Sequence, residues 1–317
     1  MTSTRPTRNL VASLIGAVTL AVFASACGTT STQATAPGTA PVSASGATAV
    51  PSATTGTLPT SGATPTTAPA ASGMPRFEAG THPISIDVGG TKRTAVVVVP
   101  ADLTKPVPLV FAFHGHGGSG ANFAKKIDVE GKWPEAVVLY PDGLVGHQGK
   151  TDPEGVKPGW QTLPGEDGDR DLQFYDALFA AVHAQLPVDD SRIFVMGHSN
   201  GSAFTSLLLN VRGDTIAATA NLSAQPGGFL RTDPVRSMFM SMGKKDPIVP
   251  YENQVKSIPL AQEHLGVDTA NPVVDGFLRI ERGPNDVELD TYVHPDGHEV
   301  PEAVPALVVA FFQRHHL

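Results

Sequence analysis

The run Gly197-His198-Ser199-Asn200-Gly201 follows Arg192-Ile193-Phe194-Val195-Met196 and precedes Ser202-Ala203-Phe204-Thr205-Ser206-Leu207-Leu208-Leu209. The first flank reads as a buried strand and the second as the start of a helix with an apolar face. A serine on the sharp turn between them has its hydroxyl lifted clear of the backbone, and only glycine leaves room for the chain on either side. The chemistry such a group can do is nucleophilic attack on an acyl carbon. Gly-x-Ser-x-Gly arises by chance in a chain with 32 glycines, so the flanks carry the reading.

A nucleophilic serine needs a base, and the base needs an acid to orient it. Three further polar segments lie where apolar runs end. After Leu109–Phe113 comes His114-Gly115-His116-Gly117-Gly118-Ser119-Gly120, whose glycines let backbone N–H groups converge on a developing oxyanion. The two donors are assigned to the N–H of His116 and the N–H of Asn200. No Gly-Lys-Ser/Thr follows, which argues against a nucleotide loop, and His114 with His116 lacks a nearby third ligand, so no metal is expected. After Met238–Met242 comes Gly243-Lys244-Lys245-Asp246-Pro247. There Asp246 can be fixed in a turn to hold a histidine, although an Asp-Pro pair is also an ordinary turn former. After Asp290–His294 comes Pro295-Asp296-Gly297-His298, which leaves His298 free in a loop. His294, inside the strand, reads as a packed histidine, and His315 and His316 near the end of the chain read as solvated. His198 and Trp160 are candidate substrate contacts. An indole in Pro158-Gly159-Trp160-Gln161 suits stacking on a sugar or aromatic acyl group, and equally suits anchoring its loop.

The elements that must position these groups alternate. Strands are expected at Ile84–Asp87, Thr94–Val99, Leu109–Phe113, Ala136–Tyr140, Ile193–Met196, Ala217–Leu222, Met238–Met242 and Asp290–His294, with a turn at Gly89-Gly90. Helices are expected after Ser199 and over Leu172–Gln185, Asn253–Leu265 and Ala303–His315. Several strands are apolar throughout, as in a mostly parallel central sheet flanked by helices and buried on both faces. In such α/β sheets, sites lie at the carboxyl ends of strands. The order Ser199, Asp246, His298 is that of α/β-hydrolases.

Phe113-His114-Gly115, Val195 to Gly201, Gly243 to Tyr251 and Gly297-His298 resemble the secreted esterases grouped as polyhydroxybutyrate depolymerases, feruloyl esterases and acetylxylan esterases. Asp169-Arg170-Asp171-Leu172-Gln173-Phe174 is similar to the acidic helix start that precedes the elbow strand in that family, and the resemblance extends over most of Ile84 to Leu317. It implies an α/β-hydrolase fold, ester hydrolysis without a cofactor, an ester substrate of polyhydroxyalkanoate, feruloyl or acetyl type, and Ser199, Asp246 and His298 as the triad. Ser202 and Val300 stand where many relatives carry glycine and tryptophan, and the cysteines that relatives often carry near the site are absent.

Composition divides the chain of 317 residues. No charged residue occurs between Arg8 and Arg76. Arg5 and Arg8 precede the apolar stretch Leu10 to Ala26, which reads as a signal peptide over 1–26. It ends at Ala24-Ser25-Ala26-Cys27, which resembles the lipobox of bacterial lipoproteins and makes Cys27, the sole cysteine, the expected lipidation site and membrane anchor. The alternative is cleavage after Ala26 and release. The Ala/Thr/Pro/Ser/Gly tract that follows, to residue 73, reads as a disordered tether. Residues 74–317 suffice for one hydrolase domain. Without Arg5 and Arg8, 20 basic residues face 30 acidic ones, a balance that argues against nucleic acid as a partner. Two other functions fit such a scaffold: a non-catalytic ligand- or cell-wall-binding lipoprotein and a serine peptidase.

Overall fold

Strand β3 (Val107–Phe113) is buried at every position. In the computed structural model, Leu109, Phe111 and Phe113 join one core while Val110 and Ala112 join another on the opposite side of the sheet. The period of two therefore puts apolar residues on both faces, and both faces are covered. The structure describes residues 77–146, 152–224 and 234–317. The expected signal segment 1–26, Cys27 and the tether to residue 73 lie outside them.

The described residues form a ten-stranded sheet. Its other strands are β1 (Gly80–Val88), β2 (Thr91–Val99), β4 (Val137–Pro141), β5 (Val188–His198), β6 (Ala218–Leu222), β7 (Ser237–Gly243), β8 (Val273–Asp275), β9 (Leu278–Arg282) and β10 (Glu288–His294). The order across the sheet is β1-β2-β4-β3-β5-β6-β7-β10-β9-β8. From β4 to β10 all neighbours are parallel, and the two strands at each edge are antiparallel.

Helices α1 (Gly120–Ile127), α2 (Val129–Lys132) and α7 (Val304–Phe312) cover one face, burying Phe123, Ile127, Val308 and Phe312 with Phe194 and Met196 of β5. Helices α3 (Arg170–His183) and α4 (Asn200–Arg212) cover the other, burying Phe174, Leu178, Phe204 and Leu207 with Val195. Met238, Met240 and Met242 of β7 pack with Leu265 in a third cluster.

All eight expected strands are present, several of them longer than expected. The helix expected over Asn253–Leu265 is divided into α5 (Tyr251–Gln254) and α6 (Ser257–Leu265). Pro259 lies in the first turn of α6; its ring opposes the carbonyl four residues earlier and it donates no hydrogen bond, so an uninterrupted helix cannot pass it. Helix α1 was hidden by the glycine-rich run before it, although Ser119 is its N-cap and accepts from the N–H of Asn122. The β8–β9 hairpin turns through Gly276 at φ 58°, an Asp-Gly turn signal between Val273-Val274 and Phe277-Leu278. His315 is a further correction. It is buried rather than solvated, with its ring 4.5 Å from that of Phe311.

Candidate active site

Strand β5 ends at His198 and helix α4 begins at Asn200, so Ser199 alone makes the turn. Its backbone sits at φ 55°, ψ −118°, a conformation that costs a non-glycine residue energy and is held by the elements on either side. The Ser199 N–H donates to the carbonyl of Leu222 on β6 at 2.8 Å. A Cβ on Gly197 would lie 2.2 Å from the carbonyl oxygen of Gly201, and one on Gly201 would lie 2.4 Å from that of Phe113. Both glycines are therefore required by close backbone approach.

The remaining groups come from neighbouring strand ends. Asp246 follows β7, and His298 lies in the loop after β10, the strand beside β7. His298 Nε2 is 2.8 Å from Ser199 Oγ, and His298 Nδ1 is 2.7 Å from Asp246 Oδ2. With the Nδ1–H tautomer the imidazole donates to the carboxylate and accepts from the hydroxyl. The carboxylate of Asp246 also accepts from the N–H groups of Ile248 and Val249, both at 2.8 Å, and from Nε2 of Gln254 at 2.8 Å. Burial opposes its charge. The hydrogen bonds from His298, Val249 and Ile248 outweigh that effect and hold Asp246 below the ordinary carboxylate range.

The glycine-rich loop after β3 forms the facing wall of a cleft of about 280 Å³ that contains Ser199, His298, His198 and residues 114–119. Neither the His116 N–H nor the Asn200 N–H has an acceptor among the described residues. His116 Nε2 is 2.9 Å from Asp152 Oδ2, and that carboxylate also accepts from the N–H groups of Val156 and Lys157. The loop is thus tied down by a side chain while its amide stays available. His114 is fully engaged: Nδ1 donates to the carbonyl of Gly115 and Nε2 accepts from the N–H of Gly143. Burial pushes His114 down, so it is neutral. No metal-binding cluster of three ligands occurs among the described residues.

His198 lines the cleft, but its ring is not free to take up a charge. Nε2 donates to the carbonyl of His298 at 3.2 Å, and burial, followed by the nearby His298 and Lys126, pushes it down to about 3. Trp160 is a correction. Its side chain is fully buried and cannot stack on a bound group. Its Nε1–H donates to the carbonyl of His114 at 2.9 Å, its ring stacks on Phe204 and meets Phe113 edge-on, and its backbone exchanges two hydrogen bonds with the Asn200 side chain. A buried indole that satisfies its one donor in this way joins the glycine-rich loop after β3 to the serine helix. The Asp169-Arg170-Asp171 segment is likewise a strap: Asp171 accepts from Arg93 and from the N–H of Gln161, beside Trp160.

Asp152 and Gln254 were not found from sequence. Gln254 lies eight residues beyond the acid it supports, and Asp152 is 36 residues from His116; no spacing rule links either pair.

No family model matches the chain. Among curated proteins it is similar to "Probable feruloyl esterase C" of Aspergillus niger, 26% identical over 211 residues that cover 62% of this chain and 68% of that protein. It is also similar to feruloyl esterase C of Emericella nidulans, 26% identical over 170 residues. That match spans 51% of this chain and 58% of the relative. Among solved structures, an acetyl xylan esterase from Aspergillus awamori superposes with a TM-score of 0.57 at 14% identity, covering 74% of this chain and 100% of that one. The Staphylococcus aureus fluorophosphonate-binding serine hydrolase FphF superposes at 0.53 with 13% identity, covering 74% and 99%. The solved structures share the α/β-hydrolase fold with this chain, and the curated relatives it is similar to are feruloyl esterases. In this fold the mostly parallel sheet brings Ser199, Asp246 and His298 together from the ends of β5, β7 and β10, with Ser199 and His298 on the cleft wall and Asp246 buried behind them.

Proposed function

We infer that the protein hydrolyses carboxylic esters through an acyl-enzyme on Ser199. The observation that carries this is the chain Ser199 Oγ, His298, Asp246, with contacts of 2.8 and 2.7 Å, at a strained turn opening on a cleft. His298 Nε2 takes the hydroxyl proton as Oγ attacks the ester carbonyl. Asp246 keeps the imidazole in the Nδ1–H tautomer and stabilises its cation. The N–H groups of His116 and Asn200 receive the oxyanion. His298 then returns the proton to the leaving alcohol, and water repeats the sequence on the acyl-enzyme. No cofactor enters these steps.

Polyhydroxyalkanoate, feruloyl and acetyl esters are the candidate substrates, and the similarity to feruloyl esterases favours testing the second first. Turnover of p-nitrophenyl butyrate and methyl ferulate is expected from the full chain. It should fall by roughly a thousandfold or more in Ser199→Ala with the fold retained by circular dichroism. Equal turnover by that variant would refute the reading and restore the non-catalytic alternative.

From Arg5 and Arg8 ahead of the apolar stretch Leu10 to Ala26, and from Ala24-Ser25-Ala26-Cys27, we further propose that the protein acts outside the cytoplasm, held by a lipid on Cys27, with release after Ala26 as the alternative. No helix among the described residues is long and apolar enough to cross a membrane. Radiolabelled palmitate should enter the wild-type chain in a bacterial host and not Cys27→Ser; equal labelling of both would remove the anchor.

A further inference from the structure

Helix α1 turns one stripe toward the cleft. Its N-cap Ser119, then Asn122, Phe123 and Lys126, all line the space around Ser199. The spacing i, i+3, i+4, i+7 is that of a single helix face. Phe123 is buried beneath it, whereas Lys126, near the carboxyl end of the helix, is exposed. Seven residues of helix separate Ser119 from Lys126, about 10 Å along the axis. The backbone of Lys126 is thus set back from the glycine-rich loop, and its side chain leans toward the cleft, close enough for its charge to act on the His198 ring.

Lys126 has no carboxylate partner among the described residues, and no acidic side chain lines the cleft. That is notable in a chain with formal net charge −8. The other basic groups of the cleft are engaged. His114 holds two backbone groups, His116 is tied to Asp152, His198 donates to the His298 carbonyl, and His298 spans Ser199 and Asp246. Lys126 is the one cationic side chain of the cleft that no partner among the described residues neutralises. A lone charge at the rim of a concave surface attracts the opposite charge on a ligand.

We propose that Lys126 makes the cleft selective for esters that carry an anionic group, a carboxylate several bonds from the scissile carbonyl. This rests on the esterase reading above and adds a substrate class to it.

The test uses the full chain and matched esters in which a terminal methyl is replaced by a carboxylate. Methyl pentanoate is paired with monomethyl glutarate and methyl heptanoate with monomethyl pimelate, which place the charge on the acyl side. Butyl acetate is paired with 4-acetoxybutanoate, which places it on the alcohol side. At low salt, kcat/KM for the charged member should exceed that of its neutral partner by about fivefold in one series, the scale of a partly exposed ion pair. Salt should erode the advantage. Lys126→Ala should bring the ratio to about one, and Lys126→Glu should invert it. Lys125→Ala, outside the cleft, should leave the ratio as it is. Using a ratio cancels any general loss of fold or turnover in a variant.

A wild-type ratio of one or less in all three pairs overturns the proposal, as does a preference that survives in Lys126→Ala. Either result leaves the esterase reading intact if Ser199→Ala is inactive on the neutral esters. Full turnover by Ser199→Ala, or no turnover of any ester by the wild type, overturns both.

Discussion

Asp246 and Asp290 are both buried aspartates at the β7–β10 side of the sheet, yet their surroundings drive them in opposite directions. Asp246, past the carboxyl end of β7, accepts two backbone N–H groups, the Gln254 amide and the His298 ring, and is held below the ordinary range. Asp290, near the amino end of β10, pairs one oxygen with Arg314 at 2.8 Å, while its other oxygen is buried with no partner among the described residues. Burial, reinforced by the nearby Glu288, pushes it up to about 6 against the pull of Arg314. Both acids have a basic neighbour. What separates them is that the hydrogen bonds to Asp246 come from rigid backbone and leave its histidine directed at a serine, whereas Arg314 is shared with Glu288. A buried acid next to a base is thus a poor sign of chemistry until its remaining partners are counted.

The comparison breaks most sharply at Asp246. Asp246→Asn keeps the shape but offers Nδ1 no reliable acceptor, so kcat should fall by roughly a thousandfold or more in a p-nitrophenyl ester assay with little change in thermal stability. Asp290→Asn should leave turnover within about twofold, and a loss comparable to that of Asp246→Asn would erase the distinction.

The effect of Asp290 belongs to stability, and its sign follows from its raised value. Between about 4, where an unfolded aspartate titrates, and about 6, the folded state binds more protons than the unfolded one. The Asp290 contribution to stability therefore falls as pH rises through that window. Buried His198 and His315, whose values are pushed down, make both proteins more stable as pH rises, so the Asp290 contribution is read as a difference: in urea unfolding from pH 4 to 7 the wild type should lose on the order of 2 kcal/mol relative to Asp290→Asn. Parallel curves for the two proteins would show that Arg314 compensates the burial fully.

The smallest effect is expected at Gln254, one of four donors to Asp246. Gln254→Ala should lower kcat about fivefold, on the order of 1 kcal/mol and so the worth of one ordinary hydrogen bond, because three other donors still hold the carboxylate, with KM unchanged. No change would mean that the two amides and His298 suffice to hold the carboxylate.

The residues proposed to do the chemistry are legible because each lies just beyond a strand end, in a locally recognisable segment. Gly197 and Gly201 reveal the turn at Ser199, and the loops after β3, β7 and β10 stand out by their polar and glycine content. What such a reading misplaced is instructive. Trp160, in a Gly/Pro-rich stretch, has the look of a binding-site aromatic, but Phe113, Phe204 and the His114 carbonyl surround it. Pro259, which divides the helix expected over Asn253–Leu265, is a breaker legible in the chain itself.

The sequence alone determined the class of sheet, through strands apolar on both faces, and the identity and order of Ser199, Asp246 and His298, because local sterics and strand ends are written in adjacent residues. Only the tertiary structure decided which side chains hold them. Gln254 on Asp246, Asp152 on His116, Trp160 between the serine helix and the glycine-rich loop, and the placing of Lys126 on the cleft wall are all pairings between segments. Such contacts arise from how the helices pack on the sheet, and no spacing in the chain encodes them.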